Sequence, residues 1–203
     1  GTVASDPTNE KFLHNEFGVN YRFGKLGINA SAYNTDWQDR NLTKSVTTGQ
    51  GDSGDTDVIF LTGVDQKHSG VELETNYMVN DMLDLMFVAS FGNWKFDGDA
   101  NGNYQETEYN SEGQAIGYTT TEYAYALDGL YVGDMPQTSY VLGVTLKPIK
   151  DLRIQAIHKM YDKNYSDWSP SAREFDGTND DADRAQVWEA PSYNRLDLHM
   201  SYK

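Results

Sequence analysis

The stretch VELETNYMVNDMLDLMFVASFGNWKF (71–96) decides how this chain is read. Val71, Leu73, Thr75 and Tyr77 fall on one side of a two-residue period, with Glu72, Glu74 and Asn76 on the other. After the hinge Val79-Asn80-Asp81-Met82, the apolar side resumes at Leu83, Leu85, Phe87, Ala89 and Phe91. Successive side chains of a strand point to opposite sides, so this alternation predicts strands with one apolar and one polar face. Two such runs across a short Asn-Asp connection predict a β-hairpin. The fold then turns on what the apolar face meets, a protein core or lipid.

Working outward, the pattern returns. Phe17, Val19, Tyr21 and Phe23 alternate with Glu16, Gly18, Asn20 and Arg22, and Leu26, Ile28, Ala30 and Ala32 follow the turn Gly24-Lys25. Tyr140, Leu142, Val144 and Leu146 lead through the hinge Pro148-Ile149-Lys150-Asp151 to Leu152, Ile154, Ala156 and His158. A last run holds Leu196, Leu198, Met200 and Tyr202. Strands are expected at about 15–23, 26–40, 67–78, 82–96, 138–147, 151–161 and 194–202. The fold class is all-β: an antiparallel meander of about seven strands with alternating short turns and long loops, a segment of a transmembrane β-barrel.

The long connections, expected as extracellular loops at about 41–66, 97–137 and 162–193, carry that choice. Ordinary loops run to about 4–6 residues, so three very long ones at one end of successive hairpins need a cause. Outer-membrane barrels have short turns at one end and long loops at the other, with apolar residues outward and polar residues inward. Glu72, Glu74, Asn20, Arg22, Arg153 and Gln155 would then face the lumen, with the two glutamates paired to a basic residue on a neighbouring strand. Phe23, Tyr77, Tyr161, Trp94 and Trp37 would form interfacial girdles, and His158 would mark its strand's exit from the membrane belt. A soluble antiparallel sandwich alternates in the same way. Periodicity alone leaves the two open; the loop asymmetry favours the barrel.

Composition narrows the function. The net charge is -15, yet 20 of the 31 acidic residues and only four of the 16 basic ones lie in segments 41–66, 97–137 and 162–194. The strand-like remainder is nearly neutral. Nucleic acid is excluded as a partner, since binding it takes a basic footprint. There is no cysteine, hence no disulfide and no cysteine-based metal site. No signal peptide opens the chain, and Gly1 reads as a cleavage scar, so the start says nothing about compartment.

One segment has metal-ligand spacing. Asp97, Asp99, Asn101 and Asn103, with Gly102 and then Glu108, match D-x-[DN]-x-[DN]-G-x5-E, which predicts a Ca²⁺ loop; no cofactor is otherwise required. The bland reading is a solvated hairpin tip, since no amphipathic helix flanks the segment. Glu72 and Glu74 sit beside no nucleophile, and the histidines (His14, His68, His158, His199) show no metal-ligand spacing. No catalytic motif is present, and no enzyme is expected. Tyr104, Tyr109, Tyr118, Tyr123, Tyr125 and Tyr131 suit ligand contact or, the favoured reading, a β-hairpin extending above the membrane.

Four segments together resemble the barrel of TonB-dependent outer-membrane receptors, particularly those of Bacteroidetes-type bacteria. They are NEFGVNYRFGKLGINASAYNTDWQDR (15–40), GVDQKHSGVELETNYMVNDMLDLMFVASFGNWKF (63–96), GLYVGDMPQTSYVLGVTLKPIKDLRIQ (129–155) and WEAPSYNRLDLHMSYK (188–203). The resemblance implies a barrel of about 22 strands with a plugged lumen, and uptake of an iron chelate, vitamin or glycan driven through TonB. It implies residence in the outer membrane of a Gram-negative bacterium. The partners implied are outer-membrane lipid, the extracellular nutrient, and TonB through an N-terminal part absent here. Plug, TonB box and closing strands are missing from these 203 residues, so the chain is expected to be a receptor fragment, whose edge strands invite an oligomer. The alternative is a soluble secreted β-rich binding module with calcium-stabilised loops.

Overall fold

The apolar–polar alternation folds into one antiparallel sheet in the computed structural model, which describes residues 9–48, 55–175 and 183–202. Its eleven strands are β1 (Lys11–Phe23), β2 (Leu26–Thr48), β3 (Asp55–Asn80), β4 (Leu83–Phe96), β5 (Ala100–Tyr109), β6 (Ala115–Tyr125), β7 (Pro136–Ile149), β8 (Leu152–Tyr165), β9 (Glu174–Phe175), β10 (Glu189–Ala190) and β11 (Tyr193–Tyr202). Seven of them, β1-β2-β3-β4-β7-β8-β11, stand side by side as a meander, the seven runs expected from the periodicity. Two-residue turns at Gly24-Lys25, Asp81-Met82 and Lys150-Asp151 join them at one end, with Gly24 and Asp151 at positive φ. The hinges at 79–82 and 148–151 are thus tighter than expected.

Register keeps the apolar series of each run on one face. Phe17, Ala32, Val71 and Phe91 align across β1 to β4, as do Tyr21, Ile28, Thr75 and Phe87, and the latter row continues through Leu142, His158 and Leu196. A one-residue slip would send each of these to the other side, so the paired hairpins fix one another. Among the described residues no protein layer covers this face: Phe17 is 73 % exposed, Leu142 51 % and Met200 77 %. A soluble sandwich buries such a face against a second sheet. The uncovered face gives the soluble-module reading no support. Above it a polar row, Asn15, Asn34, Ser69 and Asn93, closes the apolar belt on β1 to β4.

Several expectations about the belt change. His158 lies inside it, between Leu142 and Leu196, with Met160 above on the same face. Trp37, Trp94 and Tyr161 belong to the polar face, because they share the odd-even parity of Ser31, Ser90 and Ser139. Only Phe23 and Tyr77 of the expected girdle residues stand on the apolar side, paired with Leu26 and with Leu26 and Leu85.

The described parts of the long connections are folded. Within 41–66, β2 and β3 run on as a ladder past bulges near Arg40, and Ile59 and Leu61 are buried. Within 97–137, β5 and β6 form a hairpin, with β5 pairing β3 above the point where β4 stops. Thr119 to Tyr125 therefore extend the sheet, in line with the favoured reading of that tyrosine-rich stretch. Within 162–193 lie a 3-10 turn (Pro170–Ala172), β9 and β10. Together these segments enclose a core of their own around Ile59, Leu61, Phe96, Tyr125, Leu127 and Trp168. In the run Val58-Ile59-Phe60-Leu61, Ile59 and Leu61 enter this core, while Val58 and Phe60 on the opposite face are half-buried.

Candidate functional site

The side chains with chemistry to offer gather on the polar face, at the end of the sheet nearest the folded loops. His14, Thr35, His68 and Trp94 form one cross-strand row over β1 to β4. One step towards the two-residue turns the row is Glu16, Tyr33, Gly70 and Gly92. The two glycines explain the packing. A Cβ on Gly70 would stand 2.5 Å from the Tyr33 hydroxyl, and one on Gly92 would stand 2.9 Å from the Trp94 ring. Each ring therefore packs against a backbone that carries no side chain, and Trp94 Nε1 donates to the Tyr33 hydroxyl at 2.9 Å.

The rest of the cluster is cross-linked. His68 stacks on Trp94 with centroids 5.6 Å apart, and Phe12 meets Trp37 edge-on at 5.7 Å. Arg40 lies 3.7 Å over the Trp37 ring and donates to Gln66 Oε1 at 2.6 Å, which also meets His68 Nε2 at 3.0 Å. His14 Nδ1 and the buried Thr35 hydroxyl share a 2.7 Å hydrogen bond. Phe12, His14, Tyr33, Trp37, His68 and Trp94 line a cleft of about 350 Å³ bordered by Glu16 and Glu72. A second cleft of about 460 Å³, with Asn20, Asn29 and Glu74 on its wall, adjoins it at those two glutamates.

Sequence reasoning placed Glu72 and Glu74 on the polar face correctly but mispaired them. Glu74 accepts from Asn29 Nδ2 at 3.3 Å and Asn76 Nδ2 at 2.7 Å, and no Lys or Arg bridges either glutamate among the described residues. His14 and His68, scattered in sequence, share one cleft. Only strand register brings them together; the available signal was their even-numbered parity with Glu16 and Glu72.

The proposed Ca²⁺ ligands do not surround one point. Asp97 is at the β4–β5 corner, ion-paired with Lys67 at 2.7 Å. Asp99 takes the Arg184 guanidinium on both oxygens, at 3.1 and 2.8 Å, and accepts from the amides of Leu127 and Asp128. The Arg184 hydrogen bond holds the Asp99 carboxyl below the usual carboxylate range, against a smaller opposing effect of burial. Asn101, Asn103 and Glu108 are strung along β5, where Glu108 accepts from the Thr119 hydroxyl. The spacing calls for a tight loop, but residues 100–109 are extended because they pair with β6 on one side and β3 on the other. Among the described residues no three His, Asp or Glu side chains converge on a metal position.

This geometry, a one-layer wall with an apolar and a polar side under folded loops, agrees with the family comparison. Residues 9–203 match the family model described as TonB dependent receptor-like, beta-barrel. No curated protein and no solved structure matches the chain. The chain belongs to the TonB-dependent receptor-like β-barrel family.

Proposed function

We propose that this chain forms part of the wall of an outer-membrane receptor that takes up a nutrient by TonB-dependent transport. The observation that carries the reading is the uncovered apolar face of seven paired strands, backed by a polar face with open clefts. In a bilayer every backbone polar group needs an internal partner. Among the described residues β1 pairs only β2 and β11 pairs only β8, so each outer edge takes a further strand in the membrane. The two-residue turns face the periplasm, and the folded loops stand outside the cell, where a nutrient arrives. Coupling to TonB is assigned to a part of the receptor other than this wall.

The absence of native cysteine makes a sided labelling test clean. Single cysteines replace Glu112, at the β5–β6 tip, and Lys25, in the β1–β2 turn. On intact cells a membrane-impermeant maleimide is expected to label Glu112→Cys, whereas Lys25→Cys labels only after permeabilisation. Labelling of both on intact cells, or of neither, would sink the reading.

A further inference from the structure

We propose that the outer edge of β6, in the folded loops, binds an extended peptide whose basic residues alternate with β-branched ones. The proposal rests on the receptor reading above for the exposure of this edge outside the cell. β6 pairs β5 along one side, whereas on the other side only Ala124 and Tyr125 have partners among the described residues, in β9. Every residue from Ala115 to Glu122 is exposed. The Ala126 amide points to the β9 side, where it donates to Arg173 O. In an antiparallel sheet alternate residues aim their N–H and C=O at opposite edges. Those of Tyr118, Thr120 and Glu122 therefore point out of the sheet, while those of Thr119 and Thr121 serve the β5 ladder.

An open edge is a template for another strand, and proteins commonly blunt it with lysine or proline. Residues 115–123 hold neither, and the register shift of the hairpin falls at its tip, between Glu108 and Tyr109. Side chains choose the incoming strand. Tyr118 and Thr120 share one face of β6, where a β-branched neighbour packs well across strands. On the other face, beside Gly117 and Thr119, stand the exposed Glu108 and Glu106 of β5. The hairpin 100–125 holds four glutamates and no Lys, Arg or His. Charge complementarity calls for basic side chains there, and the two-residue period of one extended chain delivers both sets. A second copy of this chain would set the same carboxylates against each other.

The test follows amide exchange of the full chain in detergent micelles, read by NMR, with the probe acetyl-Lys-Thr-Lys-Thr-Lys-Thr-Lys-amide. The probe is expected to slow exchange at Tyr118, Thr120 and Glu122 and to leave Thr119 and Thr121 unchanged. In calorimetric titration it should bind about tenfold more tightly than two analogues: one with Glu for each Lys, one N-methylated at every backbone nitrogen. Affinity should fall as salt rises, and Glu106→Gln should weaken it about two- to fivefold. Thr120→Pro removes an outward N–H, a change edge strands tolerate, and should weaken it about fivefold. Asp81→Asn, in the turn at the far end of the sheet, should leave it unchanged. Equal binding of either analogue overturns the proposal, as does no binding of the probe. Slow exchange at Tyr118, Thr120 and Glu122 before any peptide is added also overturns it, since this chain or a second copy would then already cover the edge. The labelling of Glu112→Cys and Lys25→Cys is read without peptide. Correct labelling with a failed titration therefore removes the peptide inference alone, and wrong labelling removes the receptor reading.

Discussion

The Gln137 carboxamide stands in for a strand against the backbone of Trp94: its Oε1 accepts from Trp94 N at 2.9 Å and its Nε2 donates to Trp94 O at 3.0 Å. The β4–β7 ladder ends at the pair Phe91 and Thr138, and without Gln137 the Trp94 amide would lose its acceptor where the aromatic cleft begins, while the Trp94 carbonyl would keep the Val132 amide. The same Nε2 reaches Val132 O at 3.2 Å, and Gln137 is only 2 % exposed. Gln137→Leu fills a similar volume but leaves buried groups without partners, at a cost of about 2–3 kcal/mol. Denaturant titration in detergent measures it, and faster amide exchange at Trp94 localises it.

Gly70→Ala is expected to break the Tyr33–Trp94 contact. The new methyl would stand 2.5 Å from the Tyr33 hydroxyl and 2.8 Å from Phe91 O, and the latter is backbone that cannot swing aside. Overpacking of this kind costs about 1–3 kcal/mol. Trp94 loses its acceptor, so its fluorescence should shift to the red. An unchanged spectrum and unchanged stability would contradict the packing.

The contact between Asp99 and Arg184 sets a pH dependence for the segment 183–187, whose Val187 is buried in the loop core. Asp99 has a folded pKa below its unfolded one, so its stabilising effect is complete above the unfolded value, about 4 for Asp. That effect is lost as pH falls through the lower, folded value. Amide exchange at Leu127 and Asp128, both donors to Asp99, should stay slow from neutral pH down to the unfolded pKa and quicken below it after correction for intrinsic rates. Arg184→Gln should move the loss to higher pH.

On the apolar face, Leu142→Arg places a charge in the lipid belt. Near the bilayer midplane this costs about 2–4 kcal/mol, which folding into liposomes reads as a lower yield and midpoint. Asn76→Arg, on the polar face, keeps a donor for Glu74 and is expected to fold normally. Equal effects from the two would argue that neither face meets lipid.

Within the loop core, Leu127→Ala should cost about 2–5 kcal/mol, since Leu127 is fully buried. Tyr125→Phe is expected to be neutral or stabilising, although Tyr125 is also 0 % exposed. Its hydroxyl has no hydrogen-bond partner among the described residues, and burial pushes its pKa up. Removing an unsatisfied buried hydroxyl relieves a penalty. Thermal midpoints of the two variants should therefore move apart.

By itself the sequence determined the wall. In residues 71–96 the two-residue period fixes which side chains share a face, and hairpin turns of two residues carry that parity from strand to strand. Phe17, Val71, Phe91 and Leu142 therefore fall on one face, and Glu16, Asn20 and Glu72 on the other, wherever the strands begin and end. The tertiary structure alone decided what the long segments do. Residues 97–108 satisfy a calcium-loop spacing, yet from Ala100 onward pairing to β6 and β3 draws the segment out straight, because backbone ladders with distant strands outweigh a local pattern of oxygens. Likewise His14, Tyr33, His68 and Trp94 lie up to 80 positions apart in the chain and meet only through the register of four strands. Periodicity tells which face a residue joins; only the pairing of strands tells which residues stand beside it.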